Sequence, residues 1–251
     1  MSFQFVVDAL PADWEVFAPD WRGFGGSYTP HGRGADSYWF VDYLGDLDCL
    51  VEHLSPGQPL NLVGHSMGGN VATLYAGVRP QRVRRLVNLE GLGLRETQAS
   101  QAPARLSQWL DQLRTPQRFA DYADLEAVAA RLRHNNPRLS RDKANFIAPH
   151  WAAPNGRGRY CLRADPQHKQ INPYLYRLDE TLACWGNISA SVLWVLSEHI
   201  SEWHSFAKSP EYQQRLSVIK NLRHDRVQGA GHMMHHDQPE TVAQIIHSFM
   251  S

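Results

Sequence analysis

Cysteine is scarce in this chain. Cys49, Cys161 and Cys184 are the only three in 251 residues. Their separations match no metal-finger spacing, and an odd count leaves no closed disulfide framework. That usage fits a reducing compartment, so the expected location is the cytoplasm. A dominant charge is also missing: 25 basic and 25 acidic residues give a formal net charge of zero. This excludes the strongly basic surface of a nucleic-acid binder and offers no attraction to an anionic membrane. Arg79, Arg82, Arg84 and Arg85 form only a short cluster, read as the solvated entry to a strand. No apolar run approaches the roughly 20 residues needed to span a bilayer, and no signal-peptide pattern stands at Met1. The glycine-rich loop Gly23-Phe24-Gly25-Gly26-Ser27 lacks the Lys-Ser/Thr of a phosphate cradle and does not fit G-x-G-x-x-G. No cofactor or metal is expected.

What is present is a strand-to-helix turn. Leu60-Asn61-Leu62-Val63 is short, apolar and suited to a buried strand. It runs into Gly64-His65-Ser66-Met67-Gly68, and a helical segment begins at once with Asn70-Val71-Ala72. G-x-S-x-G in that context is a nucleophile elbow, which holds one serine hydroxyl clear of a sheet. The helix behind it aims free N–H groups and a positive dipole end at the same place.

Other segments alternate between strand and helix patterns. Phe3, Val6, Val7 and Leu10 repeat at helical spacing. Trp14-Glu15-Val16-Phe17-Ala18 reads as a strand with a glycine-rich exit. Val41, Leu44, Leu47, Val51 and Leu54 define one helix face, and Ser55-Pro56-Gly57 ends it. Strands are expected at residues 83–89, 191–196 and 222–227. Ser209-Pro210 is a helix start, and the last helix buries Val242, Ile245, Ile246 and Phe249. This order predicts an α/β fold whose mostly parallel sheet is flanked by helices. Residues 1–96 and 186–251 form its core. Residues 97–185, with apolar positions at helical spacing in Leu106-Trp109-Leu110-Leu113 and Leu125-Val128-Ala129-Leu132, form an inserted helical cap without strands.

A serine hydroxyl needs an adjacent base to act as a nucleophile. His232 has the best setting among thirteen histidines: Gly229-Ala230-Gly231 precede it after the last strand, and a helix start follows. His235 and His236 make the stretch dense, but no carboxylate-rich or cysteine partner is spaced to complete a metal site. His236 is read as packing at the start of the last helix.

Three segments together resemble the α/β-hydrolases: Asp20-Trp21-Arg22-Gly23-Phe24-Gly25-Gly26-Ser27, the elbow Gly64-His65-Ser66-Met67-Gly68-Gly69, and Gly229-Ala230-Gly231-His232. More narrowly the chain resembles the serine-hydrolase-like relatives of haloalkane dehalogenases. It does so through Asn88-Leu89-Glu90-Gly91-Leu92-Gly93 and through Asp165-Pro166-Gln167-His168-Lys169 with Asn172-Pro173-Tyr174-Leu175-Tyr176-Arg177. The resemblance implies Ser66 as nucleophile, where the dehalogenases carry aspartate, and so implies no alkyl-enzyme chemistry. It implies His232 as base and Glu90, after the strand beside the elbow, as the third member, with Glu198 or Glu202, after the strand that follows the cap, as the alternatives. The Met67 N–H is the expected oxyanion donor. His65, Trp109, Phe146 and Trp151 are candidate substrate contacts. The expected activity is hydrolysis of a small-molecule carboxylic ester or related acyl compound, with acyl transfer and carbon–carbon hydrolysis open to the same residues. A non-catalytic binder on the same scaffold is the alternative.

In the family's strand order, 1-2-4-3-5-6-7-8, residues 14–18 correspond to strand four. Strands one to three, and with them the His-Gly loop that supplies a second oxyanion donor, have no counterpart in these 251 residues. The expectation is an incomplete hydrolase whose sheet has an internal gap. Such a gap would favour low solubility or a homodimer.

Overall fold

A computed structural model describes residues 2–27, 37–115, 117–200 and 202–251, without the side chains of 202–204. The described chain opens with α1 (Gln4–Val7) and α2 (Phe40–Leu54), followed by β1 (Leu60–His65), α3 (Met67–Val78) and β2 (Val83–Leu89). Next come α4 (Ala102–Arg114), α5 (Leu125–Asn135), α6 (Arg141–Trp151), β3 (Ala152–Pro154), β4 (Tyr160–Leu162) and α7 (Leu178–Gly186). The chain then returns through β5 (Ser191–Ser197), α8 (Pro210–Leu216), β6 (Leu222–Val227), α9 (Met234–Asp237) and α10 (Pro239–Met250).

The main sheet has the order β1-β2-β5-β6, and every pairing in it is parallel. Side chains alternate across it, as the two-residue period of a strand requires. Leu86, Val192 and Trp194 enter one core with Tyr43, Val71, Tyr75, Trp185 and Tyr212, beneath α2, α3, α7 and α8. Val87, Leu89, Leu193 and Val195 enter the other, against Val6, Met234, Val242 and Ile246 of α1, α9 and α10. Both faces are therefore covered, which is why these strands read as nearly continuous apolar runs.

Helix starts follow local chemistry. Ser209 Oγ accepts from Tyr212 N at 3.1 Å with Pro210 at the first helical position. Asp124 and Ser140 cap α5 and α6 through Ala127 N and Lys143 N. Between β2 and β5, α5 and α6 pack a separate small core of Val128, Leu132, Ile147 and Ala148.

Three expectations are corrected. Residues 14–18 form no strand; Val16 and Phe17 are exposed, because no strand among the described residues pairs with this segment. The sheet consequently holds no internal gap among the described residues: its four strands are contiguous, and β1 lies at one edge. The inserted region is not purely helical, since β3 and β4 form a short antiparallel pair. Within it, α4 turns Ala102, Arg105, Trp109 and Gln112 inward, and leaves Leu106, Leu110 and Leu113 on the exposed side. Polar bonds select that rotation: Arg105 donates to Asn172 O at 3.0 Å, and Ile171 N donates to Gln112 Oε1 at 2.7 Å.

Candidate active site

Ser66 stands between the end of β1 and the start of α3 with φ +52° and ψ −117°. Its N–H donates to Leu89 O at 2.8 Å, and its carbonyl accepts from Asn70 N at 3.0 Å. A β-carbon on Gly64 would collide with the backbone of Gly68 and Gly69, so the tight turn excludes any side chain there. As the first residue of α3, Met67 has an N–H with no acceptor in its own helix.

Glu90 follows β2 and also has φ +52°. Ser66 and Glu90 are the only non-glycine residues with positive φ among the described ones. Strain of this kind persists only where surrounding structure enforces it, and it concentrates at functional sites. Glu90 N donates to Val195 O at 3.1 Å, and the residue is 2% exposed.

His232 lies on the loop after β6. Its Nε2 is 3.0 Å from Ser66 Oγ, and its Nδ1 is 2.7 Å from Glu90 Oε2. The carboxylate accepts, so Nδ1 carries the proton, and the bare Nε2 faces the serine hydroxyl. The other oxygen of Glu90 accepts from Ser197 N at 2.7 Å and Ser197 Oγ at 2.5 Å. Burial alone would raise the Glu90 pKa; the bonds from His232 and from both Ser197 donors outweigh it and lower the pKa below its ordinary value.

The other carboxylate weighed for this place is held elsewhere. Glu198 Oε2 accepts from Gly229 N at 2.7 Å and lies 3.7 Å from His199 Nε2. The side chain of Glu202 lies outside the described residues. Phe146 sits on α6 against Phe5 and His150, Trp151 lies beside the α5–α6 core, and Trp109 is on the inward side of α4. His65 directs its Nε2 to His232 O at 2.7 Å.

Ser197 was not foreseen. Register explains its position: Leu89 pairs with Val195 across β2 and β5, so the end of β5 runs alongside Glu90. A serine at a strand end carries no signal of that in the sequence.

Behind the site is a column of imidazoles. The His65 ring centroid is 4.7 Å from that of His232 and 4.4 Å from that of His235, and His235 is 4.2 Å from His236. Ser2 Oγ lies 2.9 Å from His235 Nε2 and 3.2 Å from His236 Nε2. Burial, reinforced by the nearby His232, lowers the His65 pKa to about 3. Burial lowers His236 to about 4 and His235 well below the ordinary value. Among the described residues no group of three or more His, Cys, Asp or Glu side chains is placed to hold a metal ion. No helix among them is long and apolar enough to cross a membrane.

Comparison with known proteins supplies the family. The family model for the alpha/beta hydrolase fold matches residues 1–239. A serine hydrolase-like protein of Danio rerio is 26% identical over 258 residues, covering 99% of this chain and 77% of its own length. A hypothetical protein from Pseudomonas aeruginosa PAO1 superposes with a TM-score of 0.85 at 28% identity, covering 99% of this chain and 86% of that one. The thioesterase domain from the curacin biosynthetic pathway gives a TM-score of 0.83 at 28% identity, over 100% and 86% of the two chains. The parallel sheet, the serine-bearing turn after β1 and a match that runs through both halves of the core agree on one assignment: this chain belongs to the alpha/beta hydrolase fold family.

Proposed function

We propose that the protein is a serine hydrolase acting on a carboxylic ester or related acyl compound through an acyl-enzyme. The observation that carries this reading is the unbroken line from Ser66 Oγ through the His232 ring to Glu90, at 3.0 and 2.7 Å. His232 Nε2 takes the Ser66 proton as Oγ attacks the acyl carbon. Glu90 orients the ring and stabilises the imidazolium that forms. The Met67 N–H stabilises the oxyanion from the positive end of α3. Collapse of the tetrahedral species transfers the proton from His232 to the leaving group, leaving the acyl group on Ser66. Water, deprotonated by the same nitrogen, then releases the acid. The likeness to a thioesterase domain supports including thioesters among the substrates tested.

A fluorophosphonate probe and p-nitrophenyl and thioester substrates of graded acyl length test this. The expected result is an adduct on Ser66, and loss of both adduct and turnover in Ser66→Ala. An adduct mapped to another serine would overturn the assignment. A folded wild-type protein with neither adduct nor turnover would favour a non-catalytic binder.

A further inference from the structure

His65 was expected to face substrate, yet its Nε2 lies 2.7 Å from the main-chain oxygen of His232. A carbonyl only accepts, so Nε2 bears the proton and the ring is the Nε2–H tautomer. The next residue, Ser66, meets the same histidine from the other side, with Oγ 3.0 Å from the His232 ring. The dipeptide His65-Ser66 therefore holds His232 at two points, its carbonyl and its imidazole.

The two partners differ in how firmly they are held. His65 ends β1, which is locked to β2 along its length, and α3 starts two residues later. His232 lies on the connection from β6 to α9. Among the described residues three bonds fasten that connection upstream of it: Gly229 N to Glu198 Oε2 at 2.7 Å, His199 N to Ala230 O at 3.0 Å, and Gly231 N to Asp237 Oδ2 at 2.9 Å. The bond from His65 reaches the carbonyl of His232 itself. The His65 ring is flanked by those of His232 and His235, so it cannot swing away without displacing a neighbour.

Resting on the reading of Ser66, His232 and Glu90 as one catalytic unit, we propose that His65 is a positioning residue: its Nε2–H registers the β6–α9 loop against the elbow and thereby sets the separation of nucleophile and base. Errors of about 1 Å in such a separation typically cost about 100-fold in rate. Substrate recognition is then left to other side chains, because the one proton on this ring is already committed.

Two variants separate donor from bulk. His65→Phe keeps a ring and removes the donor. His65→Gln places an amide N–H near the position of Nε2. Hydrolysis of p-nitrophenyl acetate by His65→Phe should show kcat reduced by about 10- to 100-fold with KM within about twofold. His65→Gln should recover most of that loss. Proton NMR supplies a reading that needs no turnover: the downfield Nδ1–H of His232, bonded to Glu90, should broaden or shift in His65→Phe and return in His65→Gln. Thermal unfolding confirms that each variant is folded. An unchanged resonance in folded His65→Phe overturns the proposal, as does a raised KM with unchanged kcat, which would make His65 a substrate contact. Equal defects in both folded variants overturn it too, since the donor would then not matter. If the wild-type protein proves inactive and its Ser66 unlabelled, the hydrolase reading falls, while the resonance still decides whether His65 positions His232.

Discussion

Acid should destabilise this protein earlier than it does a typical carboxylate-limited domain, and the histidine column sets by how much. His65, His235 and His236 are held neutral in the folded state, with pKa values lowered mainly by burial, to about 3 for His65 and about 4 for His236. In the unfolded chain each returns to its ordinary value of 6.5. Below that pH the unfolded state binds protons that the folded state refuses, so stability falls as pH falls. The loss begins near 6.5 and continues toward the folded values. Between pH 7 and 5 His65 and His236 each contribute about 2 kcal/mol of destabilisation, about 4 kcal/mol together, and the buried His235 acts in the same direction. That approaches the whole stability of a marginal domain, at the low end of about 5–15 kcal/mol.

Carboxylates act later. Glu90, with its pKa lowered, contributes stability that is present above its ordinary value of 4.5 and lost as pH falls through its lower folded value. The window from pH 7 to 5 therefore isolates the histidines. Urea unfolding followed by tryptophan fluorescence at pH 7, 6 and 5 measures the slope. His236→Gln should remove about 2 kcal/mol of the loss between pH 7 and 5. A loss below about 2 kcal/mol over this range, the share of a single histidine, would refute the reasoning.

Removing the Glu90 charge while keeping its shape, as Glu90→Gln, should lower kcat by about 10³–10⁴-fold with the fold intact. Glu198→Gln should change kcat by less than about twofold, because that side chain serves Gly229; p-nitrophenyl ester kinetics with the reverse ranking would move the acid to the end of β5. Gly91→Ala would set its β-carbon 2.5 Å from the Gly69 carbonyl carbon and 2.6 Å from Asn70 N, a backbone clash that no rotamer relieves. It should cost about 3 kcal/mol or more by denaturant unfolding, whereas Gly45→Ala, in open space on α2, should stabilise by about 0.5–1 kcal/mol. Equal effects of the two substitutions would contradict the packing described between β2 and α3.

Much of the site was legible because its signals are local. A glycine-framed serine between an apolar strand and a helix specifies one turn, since only that turn needs both glycines. Gly229-Ala230-Gly231-His232 likewise marks a strand exit, and Ser209-Pro210 a helix start, from the chemistry of a few adjacent residues. The strands of the core were visible for a related reason. A parallel strand covered on both faces must be apolar throughout, as Val192-Leu193-Trp194-Val195 is.

What the sequence left open depended on partners far along the chain. Trp14-Glu15-Val16-Phe17-Ala18 has the composition of a strand, but a strand exists only through its neighbour, and the described fold provides none there. Leu106, Leu110 and Leu113 form an apolar stripe, yet two polar bonds from Arg105 and Gln112 to the segment at 171–172 turn that stripe outward. The proposed preference for Glu90 over Glu198 is supported by the register of β2 with β5, which brings Ser197 to one Glu90 carboxylate oxygen and leaves the other for His232. The second role of the elbow, His65 reaching the His232 carbonyl, has the same origin: 167 residues separate the two in sequence, and only the folded sheet brings them within 2.7 Å.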